Sequence, residues 1–266
     1  DNQIAALDPH SVILCSEVFA LFGLTRERKS IERLAKRYAH YDVTIYCNLR
    51  RPDEYLSSWH RQRLKFGARL GKLSEDALDE YLDSAHFQQA RLVEGWVEDH
   101  FPNAKLVIRN FDAVRAAGGS VKDFIKNAEI AFPSDLELPE DQNPSVPSAF
   151  AEVGRRALHE LPRDAANRVV GWLSSVGGRV AHPADNQIEV FGSRNREILL
   201  NRFRPIAERL DEMTGGRFYA DLDDFGRCRP IPEMDAVNEA LPKLLRDAGQ
   251  RDLPEDVLSW LNNWKN

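Results

Sequence analysis

Between residues 43 and 48 apolar and polar side chains alternate one for one, with Val43, Ile45 and Cys47 interleaving with Thr44, Tyr46 and Asn48. A period of two rich in β-branched and aromatic residues predicts a strand. Arg50-Arg51-Pro52 ends it, because proline lacks the N–H that a central strand must donate. Pro52 suits a first helical position, Asp53 and Glu54 follow as first-turn acids, and Tyr55 to Phe66 is rich in helix formers. Upstream, residues 10 to 17 (HSVILCSE) predict a short buried strand with a polar tip, followed by a helix-like run from Val18 to Leu24. Downstream, residues 76 to 101 predict a helical stretch, Pro102-Asn103 a turn, and Ala104 to Arg109 a third strand. Ser120 to Ile125 opens a further helix. The alternation predicts an α/β core with a parallel sheet over residues 1 to 134.

From Pro133 to Pro147 the chain turns rich in Pro, Asp, Glu and Ser, which predicts a loop and a boundary. Beyond it the apolar spacing is helical: Phe150 to Leu161, Arg163 to Val176, and Glu197 to Met213. Pro205 falls inside the last of these and is expected to kink or divide it. Gly215-Gly216 closes that helix, and Pro254-Glu255 begins a terminal one carrying Leu258, Trp260, Leu261 and Trp264, with the tryptophans read as packing. The expectation is one domain over 1–266, with a mainly helical half at 143–266.

With 266 residues and 42% hydrophobic content the chain can bury one substantial core. No apolar run approaches the roughly 20 residues a membrane span needs. A formal net charge of −6 argues against general nucleic-acid binding, although basic residues are concentrated between Arg26 and Arg69. Cys15, Cys47 and Cys228 lack CxxC spacing and read as reduced thiols of a cytoplasmic protein. His86 and His100 have no second histidine at metal-ligand spacing, so no metal is expected.

The chemistry concentrates where the strand at 43–49 meets the helix after Pro52. Guanidinium groups on the turn, the Ser58 hydroxyl one to two turns into the helix, and the positive end of the helix dipole all favour an anion. A plainer reading has the arginines in ordinary salt bridges and Ser58 as a solvated helix serine.

The segment resembles the 3′-phosphate-binding motif of the PAPS-dependent sulfotransferases: a strand, then Arg-x-Pro, then Ser eight positions after the Arg. Arg50, Pro52 and Ser58 match it. The bacterial polysaccharide and lipid sulfotransferase-like branch is similar over a longer run, with Arg51, Asp53, Tyr55, Gln62 and Lys65 in register and His60 replacing an aromatic. Cys15-Ser16-Glu17 resembles the Ser-Ser-Glu common in that branch.

That resemblance implies a parallel sheet of P-loop nucleotide-kinase-like topology, PAPS as co-substrate, and sulfuryl transfer to a hydroxyl or amine of a glycan, lipid or small metabolite. Arg50 and Ser58 are then cofactor-binding residues. Glu17 is either the general base or a helix-capping acid, and His60 is the next candidate for the base. His60, Gln62 and Lys65 are candidates to line the cleft. The Gly-rich loop that cradles the 5′-phosphosulfate in the family does not occur before residue 10 and is expected upstream of Asp1. A catalytically silent relative that binds a phosphorylated ligand or protein partner is the alternative. A kinase needs a lysine-bearing Walker loop and a magnesium-binding acid, and neither is visible. Arg109 and Asp112 are expected to pair at the end of the third strand.

Overall fold

In a computed structural model of the chain, residues 2–16, 19–22, 28–98, 100–133, 135–137, 146–251 and 253–264 are described. In chain order the elements are α1 (Asn2–Leu7), α2 (Phe19–Phe22), α3 (Arg28–Arg37), β1 (Thr44–Leu49), α4 (Pro52–Lys65), α5 (Asp79–Leu82), α6 (Gln89–Val97), β2 (Lys105–Asn110), α7 (Phe111–Ala116), α8 (Ser120–Asn127), α9 (Ser148–Glu160), α10 (Arg163–Ser175), β3 (Ile188–Glu189), α11 (Gly192–Thr214), β4 (Ile231–Pro232), α12 (Glu233–Ala248) and α13 (Glu255–Asn262). The fold is mixed α/β and 56% helical. The described strands form two parallel pairs, β1 with β2 and β3 with β4.

The chain divides into two compact units. The first comprises residues 1–51, 88–140 and 206–219, and the second residues 52–87, 141–205 and 220–266. The predicted seam near 134–143 is therefore one boundary among several, and residues 52–87 group with the helical half.

In the first unit β1 and β2 run in register from Thr44↔Lys105 to Leu49↔Asn110, so their carboxyl ends share one edge. Because side chains alternate across the pleat, Tyr46, Asn48 and Arg109 fall on one face. Asp123, fully buried on α8, meets them there: Arg109 donates to it through Nε (3.0 Å) and Nη2 (2.8 Å), and the Tyr46 hydroxyl donates to it as well. Arg109 thus pairs with Asp123 rather than Asp112, which instead pairs with Arg115. Asp112 sits in the first turn of α7, where the Asn110 side chain accepts from its backbone N–H at 2.8 Å. Trp96 stacks with Phe101 and donates its indole N–H to the Phe19 carbonyl at 3.1 Å.

Two elements of the first half depart from expectation. Residues 11–16 form no strand and are exposed, with Val12, Ile13 and Leu14 each between 44% and 48% accessible. Among the described residues no strand pairs with this run, so its apolar side chains have neither a ladder nor a covered face. Cys15 is accordingly exposed, whereas burial pushes the Cys47 thiol up to about 11. The stretch 76–101 is two helices rather than one. Ser84 breaks it, its hydroxyl donating to the Tyr81 carbonyl (2.7 Å) and accepting from the His86 N–H (3.3 Å), a local bond that competes with helix continuation.

The second unit is built on α4, α9 and α10, whose contact buries Leu64, Ala151, Leu158, Ala166 and Val170. A Cβ at Gly154 on α9 would stand 3.4 Å from Leu173 Cδ1 and 3.6 Å from Val170 Cγ2, ordinary contact distances, so this approach does not depend on the glycine. Phe87, Phe203 and Phe225 form an edge-to-face series with centroids 5.5 Å apart at each step. Helix α11 is not divided at Pro205, and the boundary between units falls immediately after that proline. Trp260 donates to Glu160 at 2.8 Å and packs edge-on against Trp264.

Candidate functional site

Arg50 follows β1 directly and therefore stands at the carboxyl edge of the parallel β1–β2 pair, the edge where open α/β sheets receive ligands. Its position is fixed on both sides. The guanidinium lies over the Phe111 ring, 5.2 Å from the centroid, and the backbone carbonyl accepts from Gln89 Nε2 at 2.7 Å. Gln89 is itself buried at the start of α6, and its Oε1 accepts from the buried Tyr219 hydroxyl at 2.8 Å. The chain Tyr219–Gln89–Arg50 pins the turn through backbone and leaves the half-buried Arg50 head at the sheet edge. Sequence reading missed Gln89, Tyr219 and Phe111, because a hydrogen-bond relay between distant segments has no periodic signature.

Helix α4 begins at Pro52, as expected of a proline at the first helical position. Its side chains divide by face. Ser58, Gln62 and Lys65 recur at i, i+4 and i+7 and form one stripe, half-buried at Ser58 and Gln62 and exposed at Lys65. Among the described residues the Ser58 hydroxyl has no hydrogen-bond partner. Leu56, His60 and Leu64 form the buried stripe. His60 lies two residues beyond Ser58, about 200° round the helix, so it does not share the Ser58 face. Arg50 belongs to the first unit, and Ser58, His60, Gln62 and Lys65 to the second. Glu17 lies outside the described residues.

His60 is held by the second unit's interior. Its Nδ1 bonds the Tyr81 hydroxyl at 2.9 Å. Burial, reinforced by the Arg63 charge, lowers its pKa to about 4, so the ring is neutral at physiological pH. A base with that affinity takes up a proton weakly. His86 is likewise engaged, bonded to the Tyr55 hydroxyl at 2.9 Å and stacked on Trp59 at 4.6 Å, with burial lowering its pKa.

Asp53, in the first turn of α4, is 3% exposed and binds two arginines, Arg196 at 3.1 Å and Arg229 at 3.2 Å. Arg196 also donates to Glu189 at 2.6 Å, and Arg229 is bidentate to Asp224 at 3.0 Å on each arm. This network fixes the helix start within the second unit and is structural. Among the described residues no group of three or more His, Cys, Asp or Glu side chains is placed to hold a metal, and no helix is long and apolar enough to cross a membrane.

Comparison with protein-family models, with curated proteins and with solved structures finds no match to this chain.

Proposed function

We propose that this chain is a PAPS-dependent sulfotransferase of P-loop-like topology, moving a sulfuryl group from PAPS to a hydroxyl or amine of a glycan, lipid or small metabolite. The observation that carries the reading is Arg50. A guanidinium at the carboxyl edge of a parallel strand pair, followed within two residues by a helix start and eight residues on by a serine whose hydroxyl has no partner among the described residues, suits recognition of a dianionic phosphate.

In this reading, whose residue roles the sequence resemblance carries, Arg50 and Ser58 are the residues for the nucleotide 3′-phosphate, and Gln62 and Lys65 share the Ser58 stripe of α4. The acceptor oxygen or nitrogen attacks sulfur in line, the bond from sulfur to the phosphate oxygen breaks, and the acceptor proton passes to Glu17. Arg50 does not react; it holds the donor, and positioning of that kind supplies much of the acceleration in group transfer. His60 is the weaker candidate for the base, because it is buried, neutral and turned from the Ser58 face.

The test is nucleotide selectivity followed by transfer. Calorimetry should show 3′-phosphoadenosine 5′-phosphate binding more tightly than 5′-AMP, and equal affinities would sink the proposal. Glu17→Gln should keep PAPS affinity while slowing transfer by roughly 10²–10⁴-fold, the usual contribution of a positioned base. Selective binding with no transfer to any acceptor class would favour the silent relative.

A further inference from the structure

Within the second unit, α4, α9, the loop after α4 and the first residue of α12 surround a cavity of about 20 Å³. That is room for about one water molecule. Its polar lining comes from His60, Arg61, Lys72, Glu152, Arg155 and Glu233.

One of these groups, Arg61, lacks a partner its burial demands, and a second, Glu233, makes no polar contact with the described residues. Arg61 is 7% exposed; its Nη1 donates to Ser148 Oγ at 2.6 Å and to Asp185, but its buried Nε–H meets no acceptor among the described residues. Glu233, only partly exposed, forms no hydrogen bond or ion pair with another described residue. A buried donor or acceptor left unmade is costly, and polar cavities large enough for water resolve it by holding one. We propose that this cavity is a site for one water and one exchangeable proton, the water accepting from the Arg61 Nε–H and the proton residing on the Glu233 carboxyl.

The charges facing Glu233 explain why it is the titrating group. From α9 come Glu152 and Arg155, locked in a bidentate pair at 2.6 and 2.8 Å. From the loop after α4 come Lys72 and Glu75, with Lys72 3.9 Å from Glu75 and 4.0 Å from Glu152. From α4 come Arg61, matched by Asp185, and His60, which is neutral above about pH 4. Glu189 of β3 adds a negative charge and is already matched by Arg196. Each cation therefore has a carboxylate in contact before Glu233 ionises, and an ionised Glu233 brings an unpaired charge toward Glu152.

The positive end of α12 and the attraction of Lys72 and Arg155 oppose this. Burial and Glu152 prevail, and the Glu233 pKa is pushed up to about 7. The folded state thus holds a proton that the unfolded chain releases from its ordinary value of 4.5 upward. By linkage the stabilisation associated with it is complete below that ordinary value and is lost as pH rises toward the folded value.

The experiment is a carboxyl titration of the whole chain by carbon NMR with labelled glutamate, assigned by its loss in Glu233→Gln. One glutamate should titrate within a unit of neutrality and vanish in the variant; all glutamates titrating below pH 5.5 would overturn the proposal. Should Glu233→Gln fail to fold, urea unfolding of the unaltered chain decides. Its folding equilibrium should fall on the order of tenfold between pH 5 and 8, allowing for the residual solvent contact of Glu233, and a flat or rising profile contradicts the proposal. A crystal structure should show one water within hydrogen-bond distance of Arg61 Nε, and a dry cavity would remove that half of the inference.

Discussion

Two buried arginines of the second unit and Arg50 of the first are used in opposite ways. In the second, Arg61 and Arg196 are 7% and 2% exposed and surrounded by carboxylates of their own unit, so their charge is spent on the fold. In the first, Arg50 stands at a sheet edge with its guanidinium over the Phe111 ring and its backbone carbonyl held by Gln89. A buried charge enclosed by carboxylates resists removal, whereas a partly exposed one lying over an aromatic ring is removed at smaller cost. The difference separates scaffold from candidate site without any appeal to ligand.

The comparison is broken most severely at the buried network. Arg196→Ala leaves Glu189 without its cation and Asp53 with Arg229 alone, and should destabilise the chain by about 3–5 kcal/mol. Urea unfolding measures it, and a loss below about 1 kcal/mol would mean the second unit tolerates bare carboxylates, which its burial forbids.

Next in size is Asp123, fully buried beneath the β1–β2 face. Asp123→Ala removes charge-assisted bonds to Arg109 and the Tyr46 bond, and should cost about 1.5–3 kcal/mol, less than at Arg196 because Arg109 keeps solvent contact. The Arg109 guanidinium beside Asp123 holds its carboxyl below the usual carboxylate range. Its contribution is therefore present above the unfolded pKa and lost as pH falls through the folded one. Urea-unfolding stabilities of wild type and Asp123→Asn should differ at neutral pH and converge on that acid limb.

Smaller still is the structural role of Arg50. Arg50→Ala should cost about 0.5–1 kcal/mol of stability, the worth of a partly exposed cation–π contact. Smallest is the exposed pair Arg202–Asp83, at 51% and 87% side-chain exposure, where Arg202→Ala should change stability by about 0–1 kcal/mol and less in high salt. If Arg50→Ala instead unfolded the chain, Arg50 would belong with Arg196 and the contrast would fail.

Local signals were legible where one rule governed the residues. Period-two alternation located β1, and Pro52 marked the start of α4 within a residue. The run 10–17 misled because alternation reports a capacity to pair; at residues 11–16 no partner strand meets it. Pro205 allowed either a kink or a division, and α11 is not divided there. Helix α12 went unread, and with it Glu233 and the cavity, whose polar lining is assembled from four segments far apart in sequence. The Arg50–Ser58 spacing was visible in sequence, but the Gln89 and Tyr219 anchors that orient Arg50 were not, because side-chain relays obey no spacing.

The central claim is that Arg50 is spent on a ligand and not on the fold. Calorimetry of wild type and Arg50→Ala with 3′-phosphoadenosine 5′-phosphate and with 5′-AMP tests it most directly, alongside thermal unfolding of both proteins. The account predicts that the variant stays folded, loses about 1.5–3 kcal/mol of affinity for the 3′-phosphorylated nucleotide, and binds 5′-AMP as before. A variant that keeps its preference for the 3′-phosphate, or loses affinity equally for both nucleotides, contradicts it.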